Sequence, residues 1–273
     1  HIEESFLDLS CAEQECGAVL PGGYVVKENY RSNTWLEEKY LEKEGKLYGE
    51  WSLFYPSGQL KGRSFYQEGL LHGPSVFYSE EGAILASSWY IHGKKEGKNH
   101  QYYRSGALYS IQKYRGGEWD GLQEYYYEDQ TKKTEMFYDK GVLEGSTVLY
   151  YSNGIRKRQI DFIAGKRHGK ETHWHENGQE MLEAHYDHDV NVGTWKRWYP
   201  SGLIHEETVY YTPPARFDIK VWNREGQLLS EQYFINEKEC CTKQYSAEGE
   251  VLKEVPGVWD GSQIHWDTAK TTA

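Results

Sequence analysis

One glycine returns every 24 residues along most of this 273-residue chain, with an aromatic ring five positions after it. Gly49, Gly73, Gly97, Gly121, Gly145, Gly169 and Gly193 form the glycine column, and Phe217 takes its eighth place. Phe54, Tyr78, Tyr102, Tyr126, Tyr150, Trp174, Trp198 and Trp222 form the aromatic column. A second glycine column runs Gly58, Gly82, Gly106, Gln130, Gly154, Gly178, Gly202 and Gly226; a second aromatic column runs from Tyr66 by the same step to Phe234. No insertion breaks the register. Each unit can therefore meet the next in one repeated way, which marks a stacked array and not a globular enzyme.

Within residues 49–72, two runs rich in aromatic and apolar residues are separated by Pro56-Ser57-Gly58. Such runs, bounded by Gly and Pro, read as strands. Pro56 suits the first central position of a tight turn and Gly58 the left-handed residue after it, so each repeat is a β-hairpin with a three- to four-residue loop. The link to the next hairpin carries Gly45, Gly69, Gly93, Gly117, Gly141 and Gly165, then Asp189 and Pro213, all residues that turns accept. A helix is disfavoured by two or three glycines per repeat at roughly 1 kcal/mol each. The expected fold is all-β: an elongated single-sheet solenoid of about nine stacked hairpins with end caps, near 90 Å long at about 4.8 Å per strand. Its ring ladders contribute about 0.5–1.5 kcal/mol per aromatic pair.

Composition agrees with a thin core. Aromatics reach 15%, with 24 Tyr against 2 Met, while all hydrophobic residues together make 38%. Residues 1–23 lie outside the period, and Ile2, Phe6, Leu7 and Leu9 are expected to cover the first open sheet edge. The array is expected over 24–256 and a tail over 257–273.

A net charge of −11 argues against nucleic acid as a partner and disfavours contact with anionic lipid. The densest cationic run, Arg156-Lys157-Arg158 with Lys166-Arg167, reads as a solvated face. No apolar stretch approaches the roughly 18 residues of a membrane span. The chain opens on His, as a fragment or a processed form would, and a bacterial cytoplasmic and an exported location stay open alike. Cys11, Cys16, Cys240 and Cys241 fit free thiols or a Cys11–Cys16 bridge, and they lack the paired spacing of a zinc site.

The generic repeat, Gly-x4-Tyr-Tyr-x2-Gly-x-Leu-x5-Tyr-x2-Gly, is well represented by Gly97–Gly117 and Gly145–Gly154. It resembles the MORN repeats, most closely the bacterial variant repeats of the YwqK antitoxin type, over about residues 25–250. The resemblance implies a hairpin scaffold and leaves function open among platforms for proteins, phospholipid binders and appendages of enzymes. Choline-binding repeats are a more distant match, with a shorter period and Trp cages that this chain lacks.

Chemistry is sparse. Gly165–Lys170 is a turn and not a phosphate loop, because it has one spacer too few. Histidines cluster at His168, His173, His175, His185 and His188. His173 and His175 alternate on one expected strand and His185 lies on its partner, so these three are weak metal candidates. His175, however, occupies a slot that is Tyr in most other repeats, and no metal or cofactor is expected. No catalytic residue stands out. The expected role is a non-enzymatic scaffold whose variable strand positions bind another protein through Trp51, Tyr125, His173, Trp195 and Arg197. An antitoxin-like neutralisation of a basic partner is one version. The alternative is a module for glycan or lipid headgroups, and self-association is also open.

Overall fold

The computed structural model describes residues 16–212, 216–236, 238–255, 257–259 and 264–266. The expected N-terminal cover, Cys11 and Pro213 lie outside them. Every regular element among the described residues is a β-strand. Strands pair antiparallel with their neighbours in sequence, as in Lys46–Phe54 with Leu60–Gln67 and the latter with Leu70–Tyr78. The expected all-β hairpin array is therefore the fold observed.

Each hairpin closes in one way. Tyr55 N–H donates to the Gln59 carbonyl at 2.8 Å, and Gly58 N–H donates to Tyr55 at 2.8 Å. Gly58 sits at φ +85°, where a Cβ would be strained. The same bonds recur at Tyr103, Tyr151, His175 and Tyr199. Gln130 keeps the left-handed backbone (φ +72°) without being Gly. Its amide compensates: Oε1 accepts from Leu108 N–H and Nε2 donates to the Leu108 carbonyl, both at 3.1 Å.

The connection between hairpins is a two-residue turn with both residues left-handed, such as Glu68 (φ +50°) and Gly69 (φ +83°). This primed turn matches the right-handed twist of the strands. Each docks onto the preceding repeat, with Gly69 N–H on the Leu47 carbonyl and Gly93 N–H on Leu71. A side chain caps the turn as well. His72 Nδ1 accepts from His92 N–H, Glu96 from Gly116, Asp120 from Lys140 and Glu144 from Ala164, at 2.7–3.1 Å.

The leading glycine column marks a β-bulge. Gly97 has φ +69° and separates Lys94–Lys95 from Gly97–Tyr102, and Gly193 (φ +67°) does the same after Val190–Asn191. Phe217 lacks that conformation, and its strand Arg216–Trp222 runs unbroken against Leu228–Ile235. The aromatic after each ladder ring spans repeats: Tyr55 Oη donates to the Tyr78 carbonyl, Tyr103 to Tyr126, Tyr151 to Trp174 and Tyr199 to Trp222, at 2.7–2.9 Å.

The chain divides into two compact units, His1–Val142 and Leu143–Ala273. In the first, Val19–Leu20 pairs with the outer side of Tyr24–Arg31, and Val26 and Leu41 are fully buried beside Ala18 and Leu20. In the second, the apolar cluster is Ile160, Ala184 and Tyr186, with Phe162, Leu182 and Trp195 against it. Gly257–Trp259 and Ile264–Trp266, inside the expected tail, pair with each other as a separate two-stranded sheet. No helix is long and apolar enough to cross a membrane among the described residues.

Candidate functional site

Cross-strand partners share a sheet face, and alternate residues along a strand do too. In the first unit, Trp51 pairs with Ser64 and Ser64 with Ser75, while Ala86 pairs with Gln101, Gln101 with Ser110, Ser110 with Tyr125 and Tyr125 with Thr134. In the second unit Arg158 pairs with His173, His173 with Leu182, Leu182 with Arg197 and Arg197 with Glu206; beside that row Ile160 pairs with Glu171 and Glu171 with Ala184. Within each unit, the partner-binding candidates chosen from sequence thus lie on a single face.

Much of the bed beneath these faces is polar, and several of its groups are bonded within the fold. Ser64 and Ser75 share a 2.6 Å hydrogen bond. Gln123, fully buried, accepts from Lys113 N–H and donates to the Lys113 carbonyl, both at 3.0 Å, and so closes the ladder at the bulge. Trp195 does half of this work one unit on: its indole N–H donates to the His185 carbonyl at 3.1 Å. Its ring lies edge-on between Tyr186 (5.1 Å) and Tyr210 (5.4 Å). Trp51 is half-buried, with its indole N–H on Glu38 at 2.8 Å. These two tryptophans are thus tied into the fold, whereas Arg197 is exposed and meets only Glu206 at 3.8 Å.

Tyr125 is half-buried; it accepts from Gln112 Nε2 at 3.0 Å, and burial pushes its hydroxyl pKa up. With Tyr109 (rings 5.7 Å apart, edge-on), Lys133, Thr134 and Met136 it lines a depression of about 260 Å³.

His173 belongs to a charged group that sequence reasoning missed. Glu171, 2% exposed, accepts on one oxygen from Arg158 Nε (2.6 Å) and His173 Nε2 (2.5 Å). Its other oxygen is buried without a hydrogen-bond partner. Burial alone would raise the Glu171 pKa, but the bonds from His173 and Arg158 outweigh it and hold the carboxyl below its ordinary value. The signal was present in the sequence: Glu171 is the one acid in a column reading Ser75, Asn99, Gln123, Thr147.

The weak metal trio is not brought together. His185 pairs with Lys170, three residues along from the His173–Leu182 pair, so His173 and His185 fall on opposite faces. His185 donates to Glu183 at 3.0 Å beside Lys170. His175 donates to the Trp198 carbonyl at 3.0 Å, the bond that Tyr makes in neighbouring repeats.

Residues 47–68 and 167–188 each match the MORN repeat variant family, starting at the same phase of the 24-residue period. Repeats of this family are associated with binding proteins or membrane lipids, and the family is one of repeat scaffolds and not of enzymes. No curated protein matches the chain. Among solved structures, the crystal structure of TcdB2-TccC3 without its hypervariable C-terminal region aligns at 11% identity over 91% of this chain, with a TM-score of 0.22. TcdB2-TccC3-TEV aligns at 10% identity over 92%, with a TM-score of 0.19. The chain spans 15% of the length of each.

Proposed function

We propose that this chain is a non-catalytic repeat scaffold that binds another protein through the sheet faces that carry Tyr125 in the first unit and His173 and Arg197 in the second. The observation that carries this reading is the division of labour on each of these faces. A bed of short polar side chains and two tryptophans is satisfied within the fold, while the row above it varies in size and charge from repeat to repeat. An internally braced support with variable, partly exposed Tyr, His and Arg is what a specific interface requires. The net charge of −11 favours a basic partner, and neutralisation of a basic protein toxin is the specific form suggested by the repeat type. Trp51 and Trp195 shape the face in this reading and do not anchor the partner.

A second reading has a feature of its own in its favour. The depression between Tyr109, Tyr125 and Lys133 combines ring faces with a cation, as a site for a sugar or a lipid headgroup would.

Capture from a lysate of the native organism by the full chain and by its Tyr125→Ala/Arg197→Ala variant tests the first reading. That variant leaves the Glu171 pairs intact. A basic protein held by the wild type, lost from the variant and released by salt is the expected result. Equal retention by both chains would overturn the choice of face. Glycan arrays and anionic vesicles run in parallel would favour the second reading if they alone retained the chain.

A further inference from the structure

In four repeats the side chain immediately before the glycine of the Gly73 column accepts a hydrogen bond from the inter-hairpin turn that follows, and the next repeat departs from that scheme. His72, Glu96, Asp120 and Glu144 each receive the N–H of the first turn residue twenty positions on. His168 holds the next place in that column, and its Nδ1 is buried with no hydrogen-bond partner. The Asp187 carboxylate faces it at 3.4 Å. His188, the first residue of the turn, brings Nδ1 to 2.6 Å from the same Asp187 oxygen. The two imidazoles stand edge-on with centroids 4.9 Å apart, and the ligand atoms of all three residues lie within 4.8 Å of one another.

Two imidazole nitrogens and a carboxylate oxygen converge here; His188 and Asp187 share a hydrogen bond, and His168 Nδ1 has none. We infer that His168, Asp187 and His188 form a binding site for a divalent transition metal ion of the zinc, nickel or copper class. Mixed N/O donor sets select these ions over magnesium and calcium, which prefer oxygen alone. Nitrogen–zinc bonds of about 2.0–2.1 Å require the donors to draw closer than they now stand. Asp187 and His188 are exposed and His168 is anchored, so the first two supply the adjustment. Asp189 is committed elsewhere, to Arg167 Nε at 2.9 Å. Bound metal would replace the missing bond between column and turn, and its remaining coordination positions would face solvent.

The first unit contains a built-in control. His72 and His92 hold the same places one set of repeats earlier, with rings 4.8 Å apart. There the residue before the turn is Ile91, which offers no ligand, and His72 Nδ1 already accepts the His92 N–H.

The test is titration of the full chain, with its thiols alkylated, against zinc and nickel chlorides in a non-chelating buffer, read by calorimetry and by histidine ring NMR. One ion per chain is expected, shifting the His168 and His188 resonances and raising the thermal midpoint. His168→Ala and Asp187→Asn should each weaken binding at least tenfold, and His72→Ala should not change it. Absence of stoichiometric binding, or binding that survives loss of both His168 and His188, would overturn the site.

Discussion

The two units are built on one backbone scheme and fill its central row with different chemistry. In the first, the row under the exposed face is neutral and small: Ser64, Ser75, Asn99, Ser110, Gln112 and Gln123 are all buried. Phe77 leans over Gly62 so closely that a Cβ there would meet its ring at 2.7 Å. In the second, the corresponding places hold Ile160, Ala184 and the carboxylate of Glu171, with Arg158 and His173 gathered on it. The comparison shows what the repeat demands. The turns and bulges fix the backbone, and the row beneath the face can be hydroxyl, amide, aliphatic or ion pair. Gln123 and Trp195 each add a second donor to a bulge carbonyl that already accepts a backbone N–H, from Asp120 and Val192.

The sharpest way to break this contrast is to remove the charge. Glu171→Ala leaves Arg158 and His173 without their acceptor and opens a small cavity; because Arg158 is partly exposed, the loss is about 2–3 kcal/mol and not the larger figure of a sealed pair. Urea denaturation followed by tryptophan fluorescence measures it. Acid should act in the same place. Glu171 and Glu183, both at least partly buried, have lowered pKa values in the second unit, whereas Glu81 and Asp129, the lowered carboxyls described in the first, are fully exposed. A lowered carboxyl contributes stability above its unfolded value and loses it as pH falls through the native one. Hydrogen exchange at falling pH should therefore open residues 158–186 before residues 99–125. Simultaneous opening would mean that the ion group does not distinguish the units.

The neutral row has its own test. Gln123→Ala strands the Lys113 N–H at the bulge, while the Lys113 carbonyl keeps the Asp120 N–H at 3.0 Å, at a cost of about 1–2 kcal/mol. Gln123→Glu keeps the acceptor but loses the donor and should fall between. If alanine were harmless, the bulge would not need the inner row, and the account of why the two units tolerate different residues would fail.

Much of this was legible in the sequence, and the reason is geometric. The glycines at 58 and 69 are required by left-handed backbone, so the turns announced themselves, as did the rings that repeat beside them. The role of the Gly49 column was not legible, because a bulge and a turn make the same demand on a glycine. Nor was the first residue of each primed turn, where Glu68, His92 and Ala164 adopt positive φ with no common residue type. Faces could be read only once register was known: His173 and His185 looked like partners until the bulge-shifted pairing put them on opposite sides. The charged group on Glu171 escaped because its members come from two strands and none of them sits in an aromatic or glycine column.

The smallest effects test how interchangeable the repeats are at their edges. His175 makes the bond to Trp198 that Tyr makes elsewhere, so His175→Tyr should be neutral within about 0.5 kcal/mol, and His175→Phe should cost about 1 kcal/mol by leaving the carbonyl unmet. Gln130 is a finer case, because it substitutes for glycine at φ +72° and repays the backbone strain with two bonds to Leu108. Gln130→Ala retains the strain and removes both bonds, which are exposed and can be replaced by water; about 1 kcal/mol is expected. Gln130→Gly removes strain and bonds together, so the two changes should nearly cancel. Midpoints from chemical denaturation of the three chains separate these terms. A glycine variant as weak as the alanine one would show that the amide clamp, and not the backbone, holds this turn.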